Sequence, residues 1–165
     1  LQLIKNKHYK IIDNFFEINY FNELRDTVIQ SEWRFVPNIN SNHTEEDNNC
    51  YFQNVIYEHE PLCQEYHLFD RIWGDFDIRS LIRIKANCYP AKDELVTHSP
   101  HTDAPFDHNG AIICLNTCDG YTQLSDGTKI ESIENRVLFF NAGLEHSSTN
   151  CTDAKARFNI NVNYF

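Results

Sequence analysis

No stretch of this 165-residue chain approaches the roughly 20 consecutive apolar residues that a membrane span needs, so no membrane partner is expected. There is no run of basic residues either. Lys5, Lys7 and Lys10 are interleaved with apolar neighbours, and 14 Lys and Arg against 24 Asp and Glu give a net charge of −10. An acidic surface repels phosphate backbones, so no nucleic-acid partner is expected. Cys50, Cys63, Cys88, Cys114, Cys118 and Cys151 form no C-x-x-C pair. Cys114 and Cys118 invite a zinc reading, but a zinc ribbon needs a second close pair, and the alternative is reduced thiols in a cytoplasmic protein. The opening residues Leu1 to Lys5 hold too short an apolar stretch for a signal peptide, which agrees with a cytoplasmic location. The sequons at Asn42 and Asn150 then read as chance in an asparagine-rich chain.

What is present is enough for a core: 41% hydrophobic and 13% aromatic residues argue for a folded chain rather than a disordered one. The length suits one domain over 1–165. Residues 8–14 predict a short strand and turn. Phe15 to Gln30 predicts an amphipathic helix, with Phe16, Tyr20, Leu24 and Val28 recurring every four residues beside Phe21. Trp33 to Val36 and Tyr51 to Tyr57 predict strands. Asn38 to Asn49 predicts a long polar loop, whose His43 and Glu45 are better read as solvated than as ligands. Pro61 to Trp73 predicts a second helix, with Leu62, Tyr66, Phe69 and Trp73 on one side and Gly74 ending it.

From Ile78 the period changes to two. Leu81 to Tyr89 places Ile82, Ile84, Ala86 and Cys88 on one face and Arg83, Lys85, Asn87 and Tyr89 on the other. Ala111–Leu115, Tyr121–Leu124, Thr128–Ile130, Arg136–Phe140 and Arg157–Phe165 predict further strands, with a hairpin turn at Ser125-Asp126-Gly127. Helices first and short strands last predict a mainly β antiparallel sandwich or barrel with flanking helices: residues 1–77 as support, 78–165 as the β core.

Chemistry concentrates between His101 and Arg157. His101 and Asp103 are two apart, so on an extended segment both point to one side. With His146 from another strand they make two imidazoles and one carboxylate, the triad that suits mononuclear iron(II) and leaves positions open. The alternative is a polar loop, which His98, Asp107 and His108 make polar in any case. The last strand alternates Phe158, Ile160, Val162 and Tyr164 against Arg157, Asn159, Asn161 and Asn163. That polar row either faces solvent or lines a cavity, where Arg157 would suit a carboxylate held through two hydrogen bonds.

Over Ile82 to Phe165, half of the chain, these features resemble the iron(II)- and 2-oxoglutarate-dependent dioxygenases, in their prolyl-4-hydroxylase-like branch. His101-Thr-Asp103, His146 and Arg157 match the H-x-D…H…R pattern in order and approximate spacing. Leu115-Asn116 resembles a Leu-Asn strand end, Asp119 to Leu124 a G-G-E-T-x-F turn, and Arg136 to Phe140 a G-R-L-x-x-F strand. Ile12 to Phe16 and the following helix resemble a common opening of the branch. Asp119, Tyr121 and Asn135 depart from it, and Cys114 stands where a co-substrate-touching Tyr is often found.

The resemblance implies a double-stranded β-helix core, a jelly roll of the cupin-like kind. It implies Fe(II) on His101, Asp103 and His146, and the distal carboxylate of 2-oxoglutarate on Arg157. Asn159 would add a hydrogen bond, and Tyr89 or Asn87 would replace the missing Tyr. With O₂ as second co-substrate, the expected reaction hydroxylates a prolyl or other peptidyl side chain, or a small molecule, releasing succinate and CO₂. A nucleic-acid demethylase is disfavoured, because no second arginine follows Arg157. The other reading is a cupin-like metal-binding or sensing module without oxygen chemistry; a plain sandwich with no metal site is the third.

Overall fold

The chain, described in a computed structural model over residues 9–37 and 49–165, opens with β1 (Tyr9–Ile12) and helix α1 (Ile18–Gln30). The expected Asn38–Asn49 loop with His43 and Glu45 lies outside the described residues except for Asn49, as do Lys5 and Lys7. Strands β2 (Arg34–Val36), β3 (Tyr51–Glu58) and β4 (Glu60–Pro61) follow, then a 3₁₀ turn (Gln64–Phe69) and the short helix α2 (Ile72–Asp75). The second half is nearly all strand: β5 (Leu81–Pro90), β6 (Asn109–Cys114), β7 (Cys118–Leu124), β8 (Lys129–Ser132), β9 (Val137–Asn141), β10 (His146–Ser147) and β11 (Ala156–Tyr164).

The strands form two antiparallel sheets. The larger runs β1-β9-β6-β11-β5-β3-β2, with β4 beside β3; the smaller runs β10-β7-β8. This is a mainly β, jelly-roll arrangement with helices on one side, as expected. β11 sits between β5 and β6, so both of its edges are hydrogen-bonded, and the period-two pattern divides its two faces. Its apolar face, Ile160 and Val162, joins Ile84, Ala86, Ala111 and Ile113 in the main core. Helix α1 lays Phe21, Leu24 and Val28 onto that core, each fully buried. Burial of that kind is worth about 1.5–3 kcal/mol per side chain. A second cluster, Ile112, Cys114, Leu138 and Phe140 against Ile130 and Leu124, joins the two sheets.

Two expectations need correction. Helix α1 begins at Ile18 rather than Phe15, because Asn135 captures the preceding backbone. Its Oδ1 accepts from Phe16 N at 3.0 Å, and its Nδ2 donates to Phe16 O at 2.9 Å. Glu17 then caps the helix by accepting from Asn19 N and Tyr20 N. The helix expected over Pro61–Trp73 is broken into β4, the 3₁₀ turn and α2. Pro61 pairs with Tyr57 of β3, which removes the first turn. The Leu68 carbonyl, the natural acceptor for Ile72 N–H in a continuous helix, takes the Tyr20 hydroxyl at 2.6 Å. The buried residues are accordingly Leu68, Phe69, Ile72 and Phe76, while Leu62 stays exposed.

The expected hairpin forms between β7 and β8, with Gly127 at φ +85° and its N–H on Leu124 O. Asn150 is fully occupied by the fold: its side chain accepts from Val96 N and donates to Glu94 O. No described helix is long and apolar enough to cross a membrane.

Candidate metal centre

The polar faces of β5 and β11 lie side by side in strict register. Tyr89 is opposite Arg157, Asn87 opposite Asn159, Lys85 opposite Asn161 and Arg83 opposite Asn163. Arg157, Asn159, Asn161 and Asn163 are all buried, so this row lines the interior between the sheets and does not face solvent. A narrow cavity runs along it, walled by Lys85, Asn87, Tyr89, Asn159 and Asn161 and closed from the other side by His101 and His146.

His101 and Asp103 lie between β5 and β6. The backbone holds His101 against β10: His101 N donates to His146 O at 3.0 Å, and His146 N donates to His101 O at 2.9 Å. Asp103 N donates to Ala142 O at 3.1 Å, which turns its carboxylate inward. His101 Nε2 stands 4.0 Å from Asp103 Oδ1, and His146 Nε2 stands 3.8 Å from Asp103 Oδ2. Donor atoms of the three residues all lie within 4.8 Å of one another. Metal–ligand bonds of about 2.1 Å require the donors to close inward by under about 1 Å each. Among the described residues no other trio of His, Cys, Asp and Glu clusters in this way, and all six cysteines are free. Cys114 and Cys118 are free, buried thiols, the reading favoured from the sequence over zinc.

Each donor is prepared for a cation. His146 Nδ1 lies 3.0 Å from Leu144 O. Donation there leaves the Nε2 lone pair facing Asp103. Burial, then the neighbouring His146, pushes His101 down to about 4, so its imidazole is neutral at physiological pH. Burial pushes the Asp103 carboxyl up, but His146, Asn161, Asn163 and Arg83 outweigh it and hold it at about 2. Asn161 Nδ2 and Asn163 Nδ2 each donate to Asp103 Oδ2 at 2.9 Å, and Arg83 Nη2 donates to Oδ1 at 3.1 Å.

Arg157 lies at the opposite end of the row and is only 1% exposed. Its Nη2 donates to Thr122 Oγ1 at 2.9 Å and its Nη1 to Thr149 O at 3.2 Å. Its guanidinium carbon lies 5.9 Å from the centre of the Tyr89 ring. Its Nε has no partner, and among the described residues no carboxylate pairs with it. A buried guanidinium without an anion is costly, which is the chemistry of a site built for an anionic ligand. Gly120 makes the room: a Cβ there would lie 2.7 Å from Arg157 Cδ and 2.5 Å from Asn150 O. Asn87 Nδ2 donates to Asn159 Oδ1 at 2.9 Å, leaving Asn87 Oδ1 unpaired.

The fold brings together all seven residues singled out from the sequence: His101, Asp103 and His146 at one end, Arg157, Tyr89, Asn87 and Asn159 toward the other. It adds Arg83, Asn161 and Asn163 as supports of Asp103, Thr122 and Thr149 as supports of Arg157, and Lys85 in the cavity wall. Alternation had placed Arg83, Lys85, Asn161 and Asn163 on the candidate faces, but not against particular partners.

No protein-family model and no curated protein matches the sequence. Solved structures do. A prolyl hydroxylase from Trichoplax adhaerens, in complex with a hypoxia-inducible-factor oxygen-degradation-domain peptide, superposes with a TM-score of 0.71 at 18% identity, covering 99% of this chain and 86% of that one. A 2-oxoglutarate–Fe(II) oxygenase-family oxidoreductase from Burkholderia pseudomallei gives 0.75 at 11% identity, covering 98% and 87%. HygX from Streptomyces hygroscopicus, with nickel and 2-oxoglutarate bound, gives 0.65 at 10% identity, covering 98% and 84%. The fold is therefore that of the 2-oxoglutarate–Fe(II) oxygenases of the prolyl-hydroxylase-like kind.

Proposed function

We propose that this chain, with the fold of the 2-oxoglutarate–Fe(II) oxygenases, is an Fe(II)- and 2-oxoglutarate-dependent dioxygenase. The carrying observation is Arg157, a buried cation with no carboxylate partner among the described residues, on the polar row that faces a His-Asp-His cluster. His101, Asp103 and His146 would hold the metal. Arg157 would hold the distal carboxylate of 2-oxoglutarate, with Asn159, Asn87 and Tyr89 along its length. Bound there, iron(II), 2-oxoglutarate and O₂ would supply the oxidising power to hydroxylate a substrate C–H bond, with 2-oxoglutarate converted to succinate and CO₂.

The chain's own part is to position and exclude. Asn161, Asn163 and Arg83 fix the Asp103 carboxylate, and the Leu144 carbonyl fixes the His146 ring. The sheets bury Arg157 in a medium where its pairing with an anion is strong. The fold shields Asp103 and His146 from water, at 3% and 4% side-chain exposure, while His101 stays open to solvent at 32%. A metal-binding or sensing module without co-substrate has no use for Arg157 in this place, which favours the oxygenase reading. The substrate is a peptide side chain or a small molecule, and six free thiols fit a cytoplasmic location.

Fe(II)-loaded protein should convert 2-oxoglutarate to succinate, and Asp103→Ala should abolish this with the circular-dichroism spectrum retained. The 2-oxoglutarate should bind tightly only when metal is present. Equal binding without metal, or full succinate release by Asp103→Ala, would overturn the reading.

A further inference from the structure

Three cations lie along the paired polar faces of β5 and β11: Arg83, Lys85 and Arg157; of these, Lys85 lines the cavity. Arg83 is matched by Asp103 at 3.1 Å. On the oxygenase reading, Arg157 is matched by the distal carboxylate of the co-substrate. Lys85 is matched by no described residue. It is partly buried in the cavity wall beside His101 and His146, and it makes no hydrogen bond or ion pair with any described residue. Its ammonium stands 5.8 Å from the centre of the Tyr51 ring, an aromatic face that tolerates a cation but does not neutralise it.

Two acidic groups approach Lys85, and neither is available. Asp103 already accepts Arg83, Asn161 and Asn163, and its remaining capacity faces the two histidines. Glu58 lies on β3, exposed to solvent and paired in register with Arg83 rather than with Lys85, whose own β3 partner is Val55. The co-substrate is also unavailable. Lys85 is opposite Asn161, at the Asp103 end of the row, while Arg157 is opposite Tyr89, four residues further along β11. A dicarboxylate with one carboxylate on Arg157 and the other on the metal has none left for Lys85. Loading adds two positive charges with the ion and two negative charges with the co-substrate, so the net charge around the lysine is unchanged and no anion is added for it.

We propose that Lys85 is the substrate anchor, and that the substrate is a carboxylate-bearing molecule whose carboxylate pairs with the Lys85 ammonium. The proposal rests on the oxygenase reading and narrows it from any organic molecule to an organic acid. The ion pair holds the acid at the metal end of the row, where a carbon close to the carboxylate is presented to the oxidising centre. Such a pair in a partly dry cavity discriminates strongly against the neutral amide of the same shape, because an amide leaves the ammonium unpaired.

The test uses the whole chain loaded with Mn(II) and 2-oxoglutarate, with propionate and propionamide as probes. Calorimetry first measures 2-oxoglutarate binding to the wild type and to Lys85→Gln; the two should agree within about twofold. Relaxation of the probe protons by the bound Mn(II) then measures occupancy near the metal. Propionate should bind the wild type about tenfold more tightly than propionamide. Lys85→Gln should remove that preference, and Lys85→Arg should restore most of it. Equal binding of the two probes, or undiminished propionate binding by Lys85→Gln, overturns the proposal alone. Loss of 2-oxoglutarate binding in Lys85→Gln also overturns it and assigns the lysine to the co-substrate. Failure of the wild type to bind 2-oxoglutarate with Mn(II) overturns the oxygenase reading, and this proposal with it.

Discussion

Arg83 donates to Asp103 Oδ1 at 3.1 Å, so the carboxylate placed for a metal is already paired with a fixed positive charge. Asp103 is 3% exposed in its side chain and Arg83 is 23% exposed. Arg83 therefore places beside Asp103 a positive charge of the kind a divalent ion would also supply.

Arg83→Leu should destabilise the metal-free protein by about 2 kcal/mol, below the roughly 3–5 kcal/mol of a fully buried pair because Arg83 is partly solvated. Asn161 and Asn163 still hold the other oxygen. A divalent ion would replace the lost charge, so the deficit should shrink on adding Mn(II). By linkage, the variant then binds Mn(II) more tightly than the wild type. Scanning calorimetry with and without Mn(II) checks both halves; a deficit that metal leaves unchanged refutes the idea that ion and arginine neutralise the same carboxylate.

Gly120 is the point where the backbone touches Arg157. A methyl group there would stand 2.7 Å from Arg157 Cδ and 2.5 Å from Asn150 O. Gly120→Ala should cost about 1–3 kcal/mol of stability by overpacking. It should also displace the guanidinium and weaken 2-oxoglutarate binding by about tenfold or more. Urea denaturation and calorimetric titration measure the two effects, and unchanged co-substrate affinity would contradict the assignment of Arg157.

Asn135 holds the left-handed conformation at φ 59° and bonds both backbone polar groups of Phe16. Asn135→Gly keeps the conformation and loses the bonds, so it should cost about 1–2 kcal/mol. Asn135→Ala adds backbone strain and should cost about 2–4 kcal/mol. Equilibrium denaturation of both variants should show Ala below Gly; the reverse order would mean the backbone angle is not limiting.

Arg136 grips both oxygens of Asp13 and ties β1 to β9. Its hydrogen bond holds the Asp13 carboxyl below the usual carboxylate range. A group depressed in the folded state stabilises above its unfolded value of about 4. That contribution is lost as pH falls through the folded value. Asp13 is half exposed, so the gain is under about 1 kcal/mol. Asp13→Asn should therefore be slightly less stable than the wild type at pH 7, with the gap closing near pH 3. Denaturation midpoints at the two pH values decide it, and a gap that widens in acid would contradict the linkage.

Sequence periodicity served best where one rule governs a whole element. Alternation in Leu81–Tyr89 and Arg157–Phe165 identified both strands and both faces, because a strand has only two sides. It did worse at Pro61–Trp73. There a four-residue spacing suggested one helix, but strand pairing at Pro61 and the Tyr20 hydroxyl on Leu68 O broke it. The late start of α1 has the same kind of cause: Asn135, 119 residues away, holds Phe16. Such long-range polar contacts leave no local trace in the chain.

By itself, then, the sequence determined the mainly β class and the order of His101, Asp103, His146 and Arg157. It also determined which residues share a face, since those follow from chain order and the period of two. Only the tertiary structure decided whether the Arg157 row faces water or a cavity, because burial depends on what packs across it: β6 and β5 beside β11, and β7 with β10 over its polar face. The same packing gave Asp103 its three donors and, among the described residues, left Arg157 without an anion and Lys85 unpaired beside His101 and His146.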